Sequence, residues 1–181
     1  VGEITGVFAG NLVQAHRLGC DFVRDSAMVP IKEAFDVVVT TNSGYPLDQN
    51  LYQTVKGMQA AKEIVREGGS IILAAECIDG IPSHGSYAQL LSKAGSPDAA
   101  LKMLRQPGFS EQDQWQVQIQ AQIQRHADVY VYSETLSDEE IRAALLIPTN
   151  NVEATLSDLA PERLCVLPQG PLTIAYLSAT S

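Results

Sequence analysis

A phenol, an amide and an ammonium group stand close together in the sequence, at Tyr52, Gln53 and Lys56. Tyr52 and Lys56 are four residues apart and Gln53 lies three before Lys56, so the three side chains would share one face of a helix. An ammonium neutralises a carboxylate, while a phenol and an amide orient a bound molecule through hydrogen bonds. The spacing therefore indicates a candidate ligand-binding surface, although a solvated helix border more often explains such a pattern.

The residues before this triplet predict a strand and a polar loop. The β-branched run from Val37 to Val39 is typical of a strand that is covered on both faces. Turn-forming residues follow, among them Asn42 and Gly44, and then Asp48, which we predict to cap a helix. Ligands of open α/β sheets bind beyond the carboxyl ends of the strands, so we expect this loop to face a substrate.

The helix that carries the triplet is predicted to run from Gln49 to Glu67, where a glycine pair follows its last apolar residues. Gly57 lies inside this helix, where a glycine costs about 1 kcal/mol relative to alanine. We interpret Gly57 as a place where another segment of backbone comes close to the helix.

Residues 115–123 carry two competing patterns. Apolar residues alternate with glutamines there, as they would in a strand. However, Trp115, Ile119 and Ile123 are also spaced by four, and glutamine favours helices over strands. We therefore predict a helix over 111–125, in which Trp115 packs in the core by default.

The remaining segments alternate strands with helices. The sequence predicts strands at 1–9, 36–41, 70–75, 128–133, 164–167 and 172–177. It predicts helices at 11–28, 86–93, 97–105 and 151–159, and a further helix that is capped by Ser137. Pro30 is expected to end the segment that contains the helix at 11–28. This order predicts a single three-layer α/β domain over residues 1–181, with a mostly parallel sheet and helices on both faces.

The composition is that of an acidic globular chain. Hydrophobic residues make up 45% and charged residues 18%, which is ordinary for a folded domain. A net charge of −9 argues against nucleic acid and anionic membranes as partners, because both require a basic patch. The chain has no apolar run that could span a membrane and no signal peptide, and its three cysteines are widely spaced, so we expect a cytoplasmic protein with reduced thiols. Because it opens on Val1, we expect a piece of a longer protein.

The other residues with chemical potential are more scattered. His16, His84 and His126 lack the spacing of metal ligands, so we predict no metal site in this chain. His16 is expected at the surface. His84 follows the end of a predicted strand and is a candidate to face the same substrate-side cleft as Lys56.

The predicted loop after strand 70–75 contains two carboxylates and a thiol. Glu76 and Asp79 could act as an acid and a base, but exposed carboxylates in loops are more often simply solvated. Cys77 has no histidine beside it in the sequence to activate it, so we expect a small buried residue rather than a nucleophile.

The stretch TTNSGYPLDQNLYQTVKGMQAAKEIVREGGSIILAAECIDGIPSHG, residues 40–85, resembles the C-terminal domain of the nickel-pincer lactate racemase family. The resemblance runs from about Ala9 to Tyr132 and includes QDQWQ around Trp115 as a second matching patch. It implies one domain of a two-domain enzyme, in which a nickel-pincer nucleotide takes a hydride from a 2-hydroxy acid and returns it to either face. The N-terminal domain, which carries the family's catalytic histidines, would be the main partner of this chain.

The same resemblance implies roles for four residues. Tyr52 and Lys56 would act in catalysis, and Gln53 and Trp115 would bind the cofactor. Lys56 would neutralise the substrate carboxylate or stabilise the charge of a 2-oxo intermediate. The small 2-hydroxy acid is expected to be lactate or a relative of it, and the isolated chain is expected to hold no cofactor and to be inactive.

Two other functions remain open from the sequence. The chain could be a non-catalytic α/β module that docks onto the rest of a larger protein, which requires only exposed loop ends. It could also be a self-sufficient α/β enzyme that uses Glu76 or Cys77.

The first prediction concerns nickel. The isolated chain should bind no nickel tightly, because its histidines lack ligand spacing and its thiols lie far apart in the sequence. Equilibrium dialysis against nickel measures the bound metal per chain. One tightly bound nickel per chain would contradict the prediction.

Overall fold

The computed structural model of this protein describes residues 3–178, which form seven helices, seven strands and one short 3₁₀ helix. The elements in chain order are α1 (Leu12–Ala27), β1 (Met28–Ile31), β2 (Phe35–Thr41), α2 (Leu51–Lys62), β3 (Val65–Ala74), α3 (Tyr87–Ala94), α4 (Pro97–Leu104), α5 (Gln114–His126), β4 (Ala127–Tyr132), α6 (Asp138–Ala143), β5 (Ile147–Pro148), α7 (Val152–Leu159), β6 (Leu164–Leu167), the 3₁₀ helix Gly170–Leu172, and β7 (Ile174–Leu177).

Five strands form one parallel sheet in the order β5-β4-β3-β2-β6. Crossovers between parallel strands are right-handed as a rule, so those that carry the chain from β2 to β5 lay their helices on one face of this sheet. By the same rule, the crossover from β5 to β6, which returns in the opposite direction, lays α7 on the other face. The predicted α/β fold with a parallel sheet and helices on both sides is confirmed.

The core lies between the central strands and the helices of the first face. Apolar residues of α2 and α5 pack there against the matching side of β2, β3 and β4, and the buried set includes Val38, Leu51, Val55, Met58, Ile71, Leu73, Val117, Ala121, Val129 and Val131. The β-branched residues of the strands suit this position, because their stiff side chains pack well on a pleated surface.

The boundaries of α2 differ from the predicted ones. Asn50, not Asp48, caps the helix, and its side chain accepts a hydrogen bond from the Gln53 N–H. The helix ends at Lys62 instead of continuing to Glu67. Strand β3 begins already at Val65, because its pairing with β2 takes precedence over the local helical pattern.

The predicted N-terminal strand is wrong for the residues that the structure describes. Residues 3–10 form no strand, and residues 1 and 2 of that prediction lie outside the described part of the chain. The apolar residues of this segment do not enter a sheet, since Phe8 packs instead against Phe22 of α1, with the ring centroids 5.5 Å apart.

The strand predicted at 172–177 forms as β7, but it does not belong to the five-stranded sheet. β7 pairs in parallel with β1, and these two strands make a separate two-stranded sheet. Pro30, which was expected to close the first helix, lies within β1. The prediction of a helix over 111–125 is confirmed by α5, which begins at Gln114 and turns Gln116 and Gln120 into the interior.

Gly57 provides the closest contact between α2 and the sheet. A Cβ atom at this position would lie 2.7 Å from the main-chain oxygen of Thr41. Gly170 approaches the same oxygen, since its Cβ would also lie 2.7 Å from it and 3.1 Å from the Cα of Gly57. The expectation that another backbone passes close to Gly57 is confirmed.

The second prediction concerns this contact. Replacing Gly57 with alanine should lower the free energy of unfolding by about 1–3 kcal/mol, because the methyl group overpacks against fixed backbone. Replacing Gly19 with alanine is the matched control, since its Cβ would lie 3.5 Å from the Phe8 ring in ordinary contact. That control should raise the stability by about 0.5–1 kcal/mol. Urea unfolding of both variants provides the test, and a neutral Gly57→Ala would show that α2 can shift freely.

Candidate functional site

Two loops meet at the carboxyl edge of the parallel sheet, where β2 and β3 end. The N–H of Cys77 donates to the carbonyl of Asp48 over 3.1 Å, and the N–H of Leu51 donates to the carbonyl of Gly80 over 3.1 Å. The Asp48 carboxylate also accepts from the N–H of Glu76 at 3.2 Å. The loops at 42–48 and 76–84 therefore lie at the same edge of the sheet.

The first two turns of α2 present the polar triplet on the outer face of the helix. Lys56 is exposed, and its Nζ donates to Oε1 of Gln53 over 2.6 Å. Tyr52 and Gln53 are partly buried. The ammonium of Lys56 forms none of the ion pairs found among residues 3–178, so its charge is available to an anion.

An aromatic cluster continues this surface from α2 onto α5. The ring of Tyr52 meets Tyr87 and Trp115 edge-on, with centroid distances of 5.4 Å and 5.9 Å. Trp115 remains 50% exposed, so it lies at the edge of the surface and not in the core. Burial raises the pKa of the Tyr52 phenol, and the nearby Asp113 carboxylate adds to the rise. Tyr52 is therefore a hydrogen-bond donor at neutral pH.

Two adjacent cavities flank this surface. A cleft of about 350 Å³ lies between α2, α5 and residues 170–175, and Lys56 and Trp115 line it. A smaller polar cavity of about 160 Å³ is lined by Tyr52, Gln53 and His84, together with Asn50, Pro82, Gln112 and Asp113. The Tyr52–Trp115 ring contact and the Lys56–Gln53 hydrogen bond connect the two cavities into one continuous surface.

Gly44 lies at a third cavity, away from Lys56. This space of about 420 Å³ is found over the strand ends and is lined by three carboxylate residues, Asp48, Glu76 and Glu134. Carboxylates repel an anionic ligand, so this cavity is poorly suited to a 2-hydroxy acid. The structure thus brings Tyr52, Gln53, Lys56 and Trp115 together, with His84 beside them, and separates Gly44 from them.

Asn42 is occupied within the fold. Its side chain is 1% exposed, its Nδ2 donates to the carbonyl of Leu47, and its Oδ1 accepts the N–H of Gly57 over 3.1 Å. These two hydrogen bonds hold the loop against α2, and they use both the nitrogen and the oxygen of the Asn42 side-chain amide. The geometry thus gives Asn42 a role in positioning α2, in contrast to the expectation that it faces a substrate.

The histidines lie apart from one another. His16 is exposed on α1. The Nε2 atom of His126 lies 2.9 Å from the main-chain oxygen of Val65. Among residues 3–178, no group of three or more histidine, cysteine, aspartate or glutamate residues could hold a metal ion. Only His84 is close to the candidate site, at the smaller cavity.

Cys77 is enclosed by the core. It is 0% exposed, and burial, assisted by the charge of Asp48, raises the pKa of its thiol to about 12. A thiol in this environment stays protonated and unreactive, as the sequence predicted. Glu76 is exposed, and its main-chain carbonyl accepts the hydroxyl groups of Ser133 and Thr135.

Two residues of the site were missed from the sequence. Gln116 is buried and its Nε2 donates to the carbonyl of Tyr52 over 2.6 Å, which holds α2 and α5 together beneath the aromatic cluster. Asp113 precedes α5 with a positive φ of 63° and lines the smaller cavity. No local signal distinguishes either residue from its polar neighbours, because both contacts join segments that are distant in the sequence.

The fold and this surface define a class of protein: a parallel α/β domain that presents a cation, a phenol and an indole on one surface. The model of the lactate racemase C-terminal domain matches residues 31–169. The chain is 38% identical over 156 residues to the lactate racemase of Thermoanaerobacterium thermosaccharolyticum, a match that covers 85% of this chain and 36% of that protein. It is 39% identical over 140 residues to the lactate racemase of Lactiplantibacillus plantarum, covering 77% of this chain and 33% of the relative.

Solved structures agree with these sequence matches. The structure of the lactate racemase apoprotein from Thermoanaerobacterium thermosaccharolyticum is similar with a TM-score of 0.79 and 34% identity, over 89% of this chain and 40% of that one. A Thermotoga maritima protein shares the fold alone, with a TM-score of 0.61 and 15% identity over 92% of this chain and 42% of that one. The chain belongs to the lactate racemase C-terminal domain family, and it spans about a third of the length of the curated relatives it matches. None of the helices between residues 3 and 178 is long and apolar enough to cross a membrane.

The third prediction concerns the thiols. In the folded protein at pH 8, iodoacetamide should modify Cys77 at least about a hundredfold more slowly than Cys20, because a thiol with a pKa of about 12 is almost entirely protonated. Cys20 is exposed and so serves as the internal reference. Peptide mapping by mass spectrometry gives both rates, with the unfolded chain as the control in which they should converge. Similar rates in the folded state would restore Cys77 as a candidate nucleophile.

Proposed function

We propose that this chain is the C-terminal domain of a two-domain cytoplasmic 2-hydroxy-acid racemase or epimerase, with residues 1–181 as a single unit. The observation that carries the proposal is the placement of Tyr52, Lys56 and Trp115 on one surface, in a chain of the lactate racemase C-terminal domain family. The partner would be the N-terminal domain of the same polypeptide. The three unpaired cysteines of the described residues support a reducing compartment.

Lys56 would bind the carboxylate of the substrate. It stands in a cleft whose walls include the apolar residues Val55 and Ile119, and it is the one cation among the lining residues, which also include the carboxylate residue Glu63. A charge-assisted hydrogen bond in such a partly dry cleft is stronger than one in open solvent. Gln53 already accepts a hydrogen bond from Nζ, which directs the ammonium along the helix surface.

Tyr52 would orient the substrate as a neutral donor. Its raised pKa keeps the phenol protonated, and its contacts with Tyr87 and Trp115 hold the ring in one orientation. A donor fixed in this way lowers the entropic cost of positioning the hydroxy acid. Gln53 contributes an amide on the same side of the helix.

The exposed residues fit the organic part of a nickel-pincer nucleotide. The half-exposed indole of Trp115 offers a flat surface for a pyridinium ring, and the ammonium of Lys56 can also neutralise a phosphate. When bound, this cofactor supplies the capacity to accept a hydride from carbon 2 and to return it to either face. The described residues offer no cluster of metal ligands, so further ligands for nickel would come from the N-terminal domain.

Lactate is the first substrate to test, because both curated relatives are named lactate racemases. The isolated chain is expected to be inactive, since it spans 36% of one relative and 33% of the other. The second candidate function is a non-catalytic docking module. It is favoured by the exposed apolar side chains outside the main sheet, and it requires nothing of Lys56.

The fourth prediction concerns Lys56 in the full-length protein. Lys56→Ala should reduce racemisation about tenfold to a hundredfold, because a charge-assisted bond to the substrate carboxylate contributes about 1.5–3 kcal/mol. The free energy of unfolding should change by no more than about 0.5 kcal/mol, since the side chain is exposed. Lys56→Arg should restore activity only partly, because a planar guanidinium differs in shape from an ammonium.

Lys62→Ala is the matched control, because Lys62 ends the same helix and lines neither cavity of the candidate site. It should leave the racemisation rate unchanged. The measurement is the interconversion of D- and L-lactate beside thermal unfolding of each variant. Equal activity of the Lys56→Ala and Lys62→Ala proteins would favour the docking module.

A further inference from the structure

Three glutamines spaced by four residues lie on one side of α5: Gln116, Gln120 and Gln124. The side-chain nitrogen of each donates to a main-chain carbonyl of another segment, and these carbonyls belong to Tyr52, Ala144 and Leu145. The first two glutamines are buried. Apolar side chains would fill the same space without needing partners, so the contribution of these paired amides is a fixed orientation of the segments that they join.

The first of these hydrogen bonds lies directly beneath the candidate site. Nε2 of Gln116 donates to the carbonyl of Tyr52 over 2.6 Å. In an α-helix the same carbonyl accepts the N–H of the residue four positions later, which is Lys56. One main-chain oxygen therefore connects Gln116 to both of these site residues. Trp115 precedes Gln116 on α5, so the same hydrogen bond sets how closely its indole approaches the Tyr52 ring.

The second glutamine reaches the ring of Tyr52 through Tyr87. The hydroxyl of Tyr87 donates to Oε1 of Gln120, and its ring meets that of Tyr52 edge-on with the centroids 5.4 Å apart. Tyr87 is buried, and burial raises the pKa of its phenol, so the hydroxyl remains a donor at neutral pH. Nε2 of Gln120 in turn donates to the carbonyl of Ala144 over 2.7 Å. The ring of Tyr52 is thus held by a route separate from the one that holds its main chain.

The third glutamine makes the same kind of hydrogen bond away from the site. Nε2 of Gln124 donates to the carbonyl of Leu145, and Gln124 lines neither cavity of the candidate site. Its contact with the other two is a longer one, of 3.4 Å, from Nε2 of Gln120. Gln124 is therefore an internal comparison, with the same residue type on the same helix but no contact with Tyr52.

We propose that Gln116 and Tyr87 are positioning residues of the candidate site, which hold Tyr52 at two points, its main-chain carbonyl and its ring. Gln116 fixes the turn of α2 from which the Tyr52 phenol and the Lys56 ammonium project. Tyr87, anchored by Gln120, fixes the plane of the phenol ring. The inference rests on the proposed function only for its effect on racemisation, because the two contacts themselves belong to the fold.

Loss of this support should slow the reaction more than it weakens substrate binding. A misplacement of about 1 Å can cost about a hundredfold in rate, because reacting groups then meet less often in the right geometry. The ammonium of Lys56 stands on a flexible four-carbon stem and still reaches a carboxylate after a small shift. In the full-length protein, Gln116→Met should therefore lower kcat for lactate about tenfold and change KM by less than about threefold.

Methionine at position 116 removes the amide without leaving a buried group unpaired. The two side chains are similar in length, and the Tyr52 carbonyl keeps the helical hydrogen bond from the N–H of Lys56. The variant should therefore fold. Gln124→Met is the matched control and should leave both kcat and KM unchanged, because it alters the same helix away from the site. Circular dichroism at the assay temperature shows whether each variant is folded.

Fluorine NMR of Trp115 tests the same contacts without any enzymatic activity. Trp115 is the one tryptophan of this chain, and in the full-length protein labelled with 5-fluorotryptophan its resonance is the one that Trp115→Phe removes. The ring of Tyr52 lies edge-on to this indole at 5.9 Å, so its ring current acts on the label. The resonance should shift by more than its linewidth in Gln116→Met and in Tyr87→Phe, and stay in place in Gln124→Met.

An unchanged Trp115 resonance in Gln116→Met overturns the inference, and so does an equal shift in Gln124→Met. If Gln116→Met does not fold, Tyr87→Phe takes its place, since it keeps the ring and removes only the hydroxyl. An unchanged resonance in that variant overturns the inference as well. Racemisation by the wild-type protein tests the proposed function separately: a shifted resonance in an inactive protein would retain the positioning role and reject the function, and an unchanged resonance in an active racemase would do the reverse.

Discussion

The close contact of α2 with the end of β2 is the constraint on which the rest of the structure depends. No side chain fits between Gly57 and the carbonyl of Thr41, and Gly170 approaches the same oxygen closely. Three backbone segments thereby meet without intervening atoms. This contact fixes the height and the rotation of α2 on the sheet. Tyr52 and Lys56 therefore emerge toward the cleft, whereas the apolar residues of the helix face the core.

Polar residues of the neighbouring loops form hydrogen bonds that stabilise this contact. Asn42 accepts the N–H of Gly57, and the Asp48 carboxylate accepts the N–H of Glu76. Buried polar groups must find such partners, because an unpaired one costs about 1–3 kcal/mol. A loop rich in donors and glycine thus acts here mainly as a scaffold. The candidate site residues Tyr52, Gln53 and Lys56 instead lie on the outside of α2.

The cleft along α2 and the cavity over the strand ends differ in charge. The cleft is lined by one cation, Lys56, and one carboxylate residue, Glu63, whereas the cavity is lined by three carboxylate residues, Asp48, Glu76 and Glu134. Of the two, the cleft is therefore the less repulsive to an anion. In a chain of net charge −9, one exposed ammonium in a partly apolar cleft is a local exception. The same cleft is bounded by β7, which lies outside the main sheet.

The sequence by itself determined the local structure and the residues of the polar surface. Alternating periodicities gave the α/β fold, and the spacing of Tyr52 and Lys56 placed both on one side of α2, because such patterns depend only on residues close in the chain. Gly57 even predicted the close approach of a backbone. Only the tertiary structure decided three other features: the end of α2 at Lys62, the burial of the Gln116 side chain, and the buried hydrogen bonds of Asn42. Each depends on strands or loops distant in the sequence, whose pairing and hydrogen bonds outweigh the local propensity of the chain.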